Sequence, residues 1–196
     1  MARKKSLKTS ARKFRDATAE IEEFLPDACD GLSKKQQSWC YDYAVIRLYR
    51  NFENLMLECL VGALNNDTGT LTAKTGFKFP EHLTDEVCEF IVTGDGYFDF
   101  RGRDGLIKIL RRYLPSDHYL VEVVKKTKYK KTIERLTTLR NYAAHKSTHG
   151  KRQVLQAIDQ KQLRSAGSWL KSQKRFPKLV KSLDELATEL EAEAPY

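Results

Sequence analysis

The chain has 196 residues, of which 41% are hydrophobic and 31% charged, with 10 glycines and 5 prolines. This length suits one well-buried domain, and the composition excludes a disordered tail and a collagen-like or low-complexity protein. The formal net charge of +9 favours a polyanionic partner, because basic side chains that neutralise phosphates release condensed counterions.

The first predicted elements are two helices. An amphipathic helix, basic and then acidic, is predicted from Leu7 to Leu25, and Pro26 is expected to end it. The strongest helical pattern follows, from Ser33 to about Leu64, with apolar residues at steps of three and four that are typical of a buried stripe. These apolar residues are Val45, Leu48, Phe52, Leu55 and Cys59. We therefore divide the chain into a basic amino-terminal arm or helix over residues 1–32 and a helical domain over residues 33–196.

The middle of the chain is rich in turn-forming residues. A loop is predicted over residues 65–79, and a short helix over Thr84–Val92. Residues 94–105, GDGYFDFRGRDG, are dense in glycine, aspartate and aromatic residues, and we interpret them as a tightly turned loop that supports the core. A glycine-rich phosphate loop is the alternative, but no strand precedes this segment and no Lys-Ser or Lys-Thr follows it.

Four further helices are predicted in the rest of the chain. They are Leu106–Leu114, His118–Lys126, Thr132–Lys146 and Pro177–Glu193. The alternation of β-branched residues that is typical of strands is missing, and no segment repeats. The sequence therefore predicts an all-α, single-domain helical bundle.

The cysteines form no metal-binding pattern. Cys29, Cys40, Cys59 and Cys88 are widely spread, make no Cys-x-x-Cys pair, and have no histidine at zinc-ligand spacing, so neither a metal nor a cofactor is expected. The sequence has no apolar signal segment and no apolar run long enough to span a bilayer. We expect no membrane partner and a reducing, cytoplasmic environment.

Basic residues are concentrated in two clusters. The amino-terminal cluster has seven of them and no acidic residue: Arg3, Lys4, Lys5, Lys8, Arg12, Lys13 and Arg15. The second, which we call the lysine cluster, consists of Lys125, Lys126, Lys128, Lys130 and Lys131. Such clusters are often only solvated faces. Because the lysine cluster lies just before the motif described next, we interpret it as a candidate RNA-binding surface.

The helix predicted at Thr132–Lys146 carries the sequence RNYAAH at residues 140–145. Its apolar residues lie on one side of the helix at about 100° per residue. They are Ile133, Leu136, Leu139 and Ala143. His145 and Asn141 point away from this stripe, and Arg140 flanks it. Cleavage of RNA needs a cation for the phosphate and a group that titrates near neutrality, which arginine and histidine provide.

The sequence RNYAAH resembles the Arg-polar-x3-His signature of the HEPN superfamily of helical ribonucleases. A long early helix and a motif on a late helix extend the resemblance to about residues 33–190. The resemblance implies a metal-independent endoribonuclease that leaves a 2′,3′-cyclic phosphate and a 5′-hydroxyl. It also implies a homodimer in which two motifs face one cleft, and a role in a bacterial toxin–antitoxin or antiviral defence system.

The resemblance also assigns roles to individual residues. Arg140 would hold the scissile phosphate, His145 would act as general base or acid, and Asn141 would orient them. Some members add an acidic residue, for which Glu53 is our candidate, although a solvent-exposed helix position is its plainer interpretation. One toxin branch has a tyrosine two positions after the histidine, which a nucleotidyltransferase antitoxin modifies. This chain has Ser147 there, so we do not expect that route of silencing, while an antitoxin or regulatory protein stays a candidate partner.

Two other functions fit the sequence less well. One is a non-catalytic HEPN-like module that binds RNA or a nucleotide, or regulates a partner protein. The presence of Arg140, Asn141 and His145 together argues against it. The other is a helical DNA-binding protein that uses the basic amino-terminal arm, but no helix-turn-helix with a clear recognition helix is present.

Overall fold

A computed structural model of the chain describes residues 6–94 and 96–195. Over these two ranges the chain forms ten α-helices and no β-strand, which confirms the predicted all-α, single-domain bundle. The helices are α1 (Leu7–Cys29), α2 (Lys34–Asn66), α3 (Gly69–Thr75), α4 (Asp85–Thr93), α5 (Gly102–Tyr113), α6 (Tyr119–Lys125), α7 (Thr127–His145), α8 (Thr148–Ile158), α9 (Ala166–Leu170) and α10 (Arg175–Glu193). None of these helices is long and apolar enough to cross a membrane.

Helix α2 is the central element of the bundle. It begins at a capping box, in which the Ser33 hydroxyl and the Gln36 side chain each accept a backbone N–H of the other residue. Its predicted stripe is buried along the whole length from Val45 to Cys59. The helix packs mainly against α1, α9 and α7, the last of which carries the RNYAAH motif.

Helix α1 belongs to the same bundle and packs against α2 and α10. The prediction that it ends at Pro26 is wrong, because the helix continues to Cys29. Proline fixes φ at a helical value and removes only one hydrogen bond, and Leu25 is buried against the core beside it. Of the amino-terminal cluster, Arg3, Lys4 and Lys5 lie outside the described residues, while Arg12 and Arg15 form ion pairs with Glu191 of α10.

In the glycine- and aspartate-rich segment, residues 94 and 96–101 lie outside any helix, and the last residues, from Gly102 onward, begin α5. Phe98 and Phe100 are buried. The centroid of the Phe100 ring lies 5.6 Å from the centroid of the Tyr49 ring and 6.1 Å from that of the Phe52 ring. The segment therefore supports the core, as expected.

Three short helices were not predicted. Helix α3 lies inside the expected loop, and α8 and α9 follow the motif helix. Helices α8 and α9 each begin at a serine cap: Ser147 accepts the N–H of Gly150, and Ser165 accepts the N–H of Ser168. Helices this short are marginal by themselves and form here because they pack on the bundle.

Candidate active site

The candidate catalytic residues lie at the carboxyl end of α7. This helix begins at Thr127, five residues before its predicted start, and ends at His145, followed by Lys146 in a left-handed conformation with φ of 47°. Its predicted stripe, residues 133, 136, 139 and 143, is buried, so the orientation of the helix is as expected. The motif is therefore held on a packed helix and is not part of a loop.

Arg140 is half-buried and fixed by two contacts. Its guanidinium lies over the Tyr49 ring, with Cζ 4.5 Å from the ring centroid. Its Nη1 donates a hydrogen bond of 2.8 Å to Oδ1 of Asn141. Because a guanidinium has five N–H donors, these contacts hold the side chain in place and leave donors for a phosphate.

Glu53 lies close to Arg140. It follows Tyr49 by four residues on α2, so both side chains share one face of that helix. The interpretation of Glu53 as solvent-exposed is wrong, because the residue is half-buried. Burial raises the pKa of its carboxyl above the ordinary value, the charge of Arg140 lowers it, and the charge of Asp99 raises it. A glutamate whose pKa is raised is better suited to exchange a proton near neutral pH than an ordinary one.

These groups line a cavity of about 580 Å³ between α2, α4, α7 and the loop at residues 96–99. Its charged groups are two arginines and three carboxylates, namely Arg50, Arg140, Glu53, Glu89 and Asp99. The motif identified Arg140, but Tyr49 and Asp99 were missed. Tyr49 could have been found from its position one turn before Glu53. The carboxylates outnumber the arginines, so binding of a phosphate here would depend on the guanidinium of Arg140 itself and not on the overall charge of the cavity.

His145 does not line this cavity. It is exposed in the last turn of α7. At about 100° per residue, its side chain leaves the helix some 140° away from Arg140 and about 40° from Asn141. The structure therefore brings Arg140, Asn141 and Glu53 together, whereas Arg140 and His145 of one chain diverge.

No protein-family model matches this chain, and no match was found among curated proteins or solved structures. The HEPN resemblance thus depends on the RNYAAH motif and on the order of the helices. The order of the helices is as expected, because the long early helix α2 packs on the late helix α7, which carries the motif. Among the described residues, no three His, Cys, Asp or Glu side chains are placed to hold a metal ion.

The lysine cluster is exposed but lies at the other end of α7 from the motif. At 1.5 Å per residue, Lys128 and Arg140 are separated by about 18 Å along the helix. Glu189 of α10 accepts hydrogen bonds from Lys126, at 2.7 Å, and from Lys128. Although burial acts to raise the pKa of Glu189, these bonds lower it to about 2. Part of the cluster is therefore neutralised within the fold, and its role in RNA binding stays a prediction.

Proposed function

We propose that the protein is a metal-independent endoribonuclease of the HEPN kind that acts in a bacterial toxin or antiviral defence system. The observation that carries the proposal is the fixed position of Arg140, held by Asn141 and Tyr49 beside Glu53, on a helix that ends at the exposed His145. A fixed arginine and an exposed histidine are the two groups that metal-independent RNA cleavage needs. An antitoxin or regulatory protein is the partner that such a system would supply.

In the proposed reaction, the 2′-oxygen of the RNA attacks the adjacent phosphorus and the bond from phosphorus to the 5′-oxygen breaks. Arg140 binds the non-bridging phosphate oxygens and stabilises the charge that develops on them. His145 takes the proton of the 2′-hydroxyl, and the departing 5′-oxygen takes a proton from water, to which the protonated histidine then returns one. The products are a 2′,3′-cyclic phosphate and a 5′-hydroxyl.

A single chain does not place all the side chains that this reaction needs at one phosphate. Arg140 and His145 of a single chain point in different directions, and each chain has one of each. Two-fold pairing would supply a second motif, so that Arg140 of one subunit and His145 of the other face the same phosphate. The active species is accordingly a homodimer, and sedimentation should show a dimer at micromolar concentration.

Mixed dimers test this arrangement. Arg140→Ala and His145→Ala subunits should each be inactive alone, yet coexpression should restore about a quarter of the wild-type activity. Half of the dimers would be mixed, and each would have one intact composite site of two. Cleavage assays on coexpressed, differently tagged subunits measure the recovery. An inactive mixture would place the working pair within one chain.

The direct test of the proposal is incubation of the purified protein with mixed RNA in EDTA. The matched control is the Arg140→Ala/His145→Ala double variant prepared in the same way. The wild type should cleave and the double variant should not, and the new ends should be cyclic phosphates. Cleavage that requires a divalent metal would refute the proposal.

RNA binding by the inactive double variant should depend steeply on salt. For single strands, log affinity falls with log salt with a slope of about −0.7 per phosphate contact. Lys130 and Lys131 are exposed and form no ion pair with another described residue. Changing both to Gln should therefore make the slope shallower by about 1.4.

Two further variants complete this experiment. Glu189→Gln frees Lys126 and Lys128, so it should strengthen RNA binding. Lys181→Gln removes an exposed charge on α10 and should leave the slope nearly unchanged. A flat salt response in all proteins would mean that the lysine cluster is only solvated.

The second candidate function is a non-catalytic module that binds RNA or a nucleotide, or regulates a partner. The position of His145 outside the cavity that contains Arg140 favours it. This function becomes the better account if the wild type binds RNA tightly and never cleaves it.

A further inference from the structure

A second and larger cavity, of about 770 Å³, lies between the amino end of α2, the carboxyl end of α7 and helix α9. Five basic side chains line it, namely Lys34, Lys35, Lys146, Arg164 and Lys171. Volumes of this size are typical of small-molecule sites. The cavity shares none of its lining residues with the cavity around Arg140.

The charge of the cavity is strongly positive, because its one carboxylate is already engaged. Asp42 is buried and accepts a hydrogen bond of 2.6 Å from the backbone N–H of Gly167. Five cations facing one such carboxylate leave a site that attracts an anion. The first turn of α2, with its partial positive charge, adds to this potential.

An exposed aromatic ring completes the lining. Trp39 keeps 53% of its surface exposed, and the Nζ atom of Lys35 lies 5.6 Å from the centroid of its ring. A large aromatic side chain left open to solvent beside a basic cavity offers a face on which a nucleobase can stack. The cavity thus combines the two contacts that recognise a nucleotide, a stacking platform and cations for phosphate.

We propose that this cavity binds a nucleoside phosphate, with the base on Trp39 and the phosphate between Lys146, Arg164 and Lys171. The nucleotide is either free or one unit of a bound RNA chain. Binding requires neither Arg140 nor His145, so this inference is independent of the proposed ribonuclease activity. It also places a nucleotide on the side of α7 that Tyr142 and Ala143 line, away from Arg140.

Calorimetric titration of the wild type with AMP tests the site. Arg164→Glu should weaken AMP binding by more than about tenfold, because it reverses a charge that contacts the phosphate. Lys181→Glu, the same kind of change at an exposed position outside the cavity, should alter the affinity less than about twofold. Trp39→Ala should weaken binding by at least about fivefold, the lower limit for loss of one base stack, and Trp39→Phe should restore most of it.

A short oligoribonucleotide distinguishes the two sources of the ligand, with Arg140→Ala/His145→Ala as the starting protein so that no cleavage occurs. AMP binding that Arg164→Glu weakens supports a free nucleotide. Oligonucleotide binding with the same dependence, and no binding of AMP, supports a nucleotide within RNA. The proposal is overturned if inorganic phosphate competes as well as AMP, since the base would then contribute nothing. It is equally overturned if neither probe binds in a way that depends on Arg164.

Discussion

The His145→Ala protein is expected to cleave RNA about 10²–10⁴-fold more slowly than the wild type, which is the usual contribution of a general acid or base. Its stability should hardly change, because His145 is exposed in the last turn of α7 and its removal opens no cavity in the core. RNA binding should also be nearly intact. His149→Ala, at an exposed position in α8, is the matched control and should retain full activity.

Arg140→Ala should also abolish cleavage, but it should weaken RNA binding more, since it removes a charge-assisted phosphate contact. Arg140→Lys should not restore activity, because an ammonium cannot reproduce the bidentate geometry of a guanidinium.

Asn141→Ala should reduce cleavage less than Arg140→Ala does, because the amide orients Arg140 without transferring a proton. Glu53→Gln tests the accessory role, and we expect partial loss of cleavage with RNA binding maintained.

Rates of cleavage and affinities for RNA, measured separately for each variant, decide between the functions. Equal cleavage by His145→Ala and the wild type would end the nuclease proposal. Loss of affinity without loss of rate at saturating RNA would mean that Arg140 binds the ground state and the transition state equally well. The circular dichroism spectrum of each variant shows whether it is folded.

Helix α2 was predicted to within two residues at each end, because it is long and periodic. The four residues predicted for the stripe of α7 are buried, although Tyr129, Thr137 and Tyr142 are buried as well. Of the short helices, α4 and α6 were predicted to within one residue at each end, whereas α3, α8 and α9 were missed because their stability comes from contacts with distant segments. Helix α3, for example, has seven residues and buries one of them, Leu71, which leaves little periodic signal to detect.

The surroundings of the motif were less predictable than the motif. That Glu53 lies beside Arg140 depends on the register in which α2 packs on α7, which no local pattern encodes. The lysine cluster was judged without α10, whose Glu189 is far away in the sequence yet pairs with Lys126 and Lys128. A basic run and an acidic run in one chain can neutralise each other, so the net charge along a sequence is only a guide to the charge of a surface.

Gly167→Ala is expected to destabilise the protein more than any other single change proposed for it. Gly167 lies where α9 meets α2, and an added Cβ would be 1.9 Å from the carbonyl oxygen of Ser38 and 2.8 Å from the backbone nitrogen of Asp42. Because both are backbone atoms within the long helix α2, they cannot rotate away, so α9 must move. The movement also breaks the hydrogen bond from Gly167 to the buried carboxylate of Asp42.

Overpacking and the loss of a buried hydrogen bond together predict a fall of about 3 kcal/mol or more in the free energy of unfolding, measured by urea titration. Gly105→Ala is the matched control. Gly105 lies inside α5, where a Cβ would make an ordinary contact of 3.5 Å with Arg101 and alanine favours the helix, so the Gly105→Ala protein should be as stable as the wild type or more stable.

If folded Gly167→Ala protein can be prepared, the displacement of α9 should remove one wall of the basic cavity and abolish AMP binding. Cleavage at Arg140 should survive in that protein, because α9 contributes nothing to the other cavity. Wild-type stability of Gly167→Ala would mean that α9 does not approach α2 this closely.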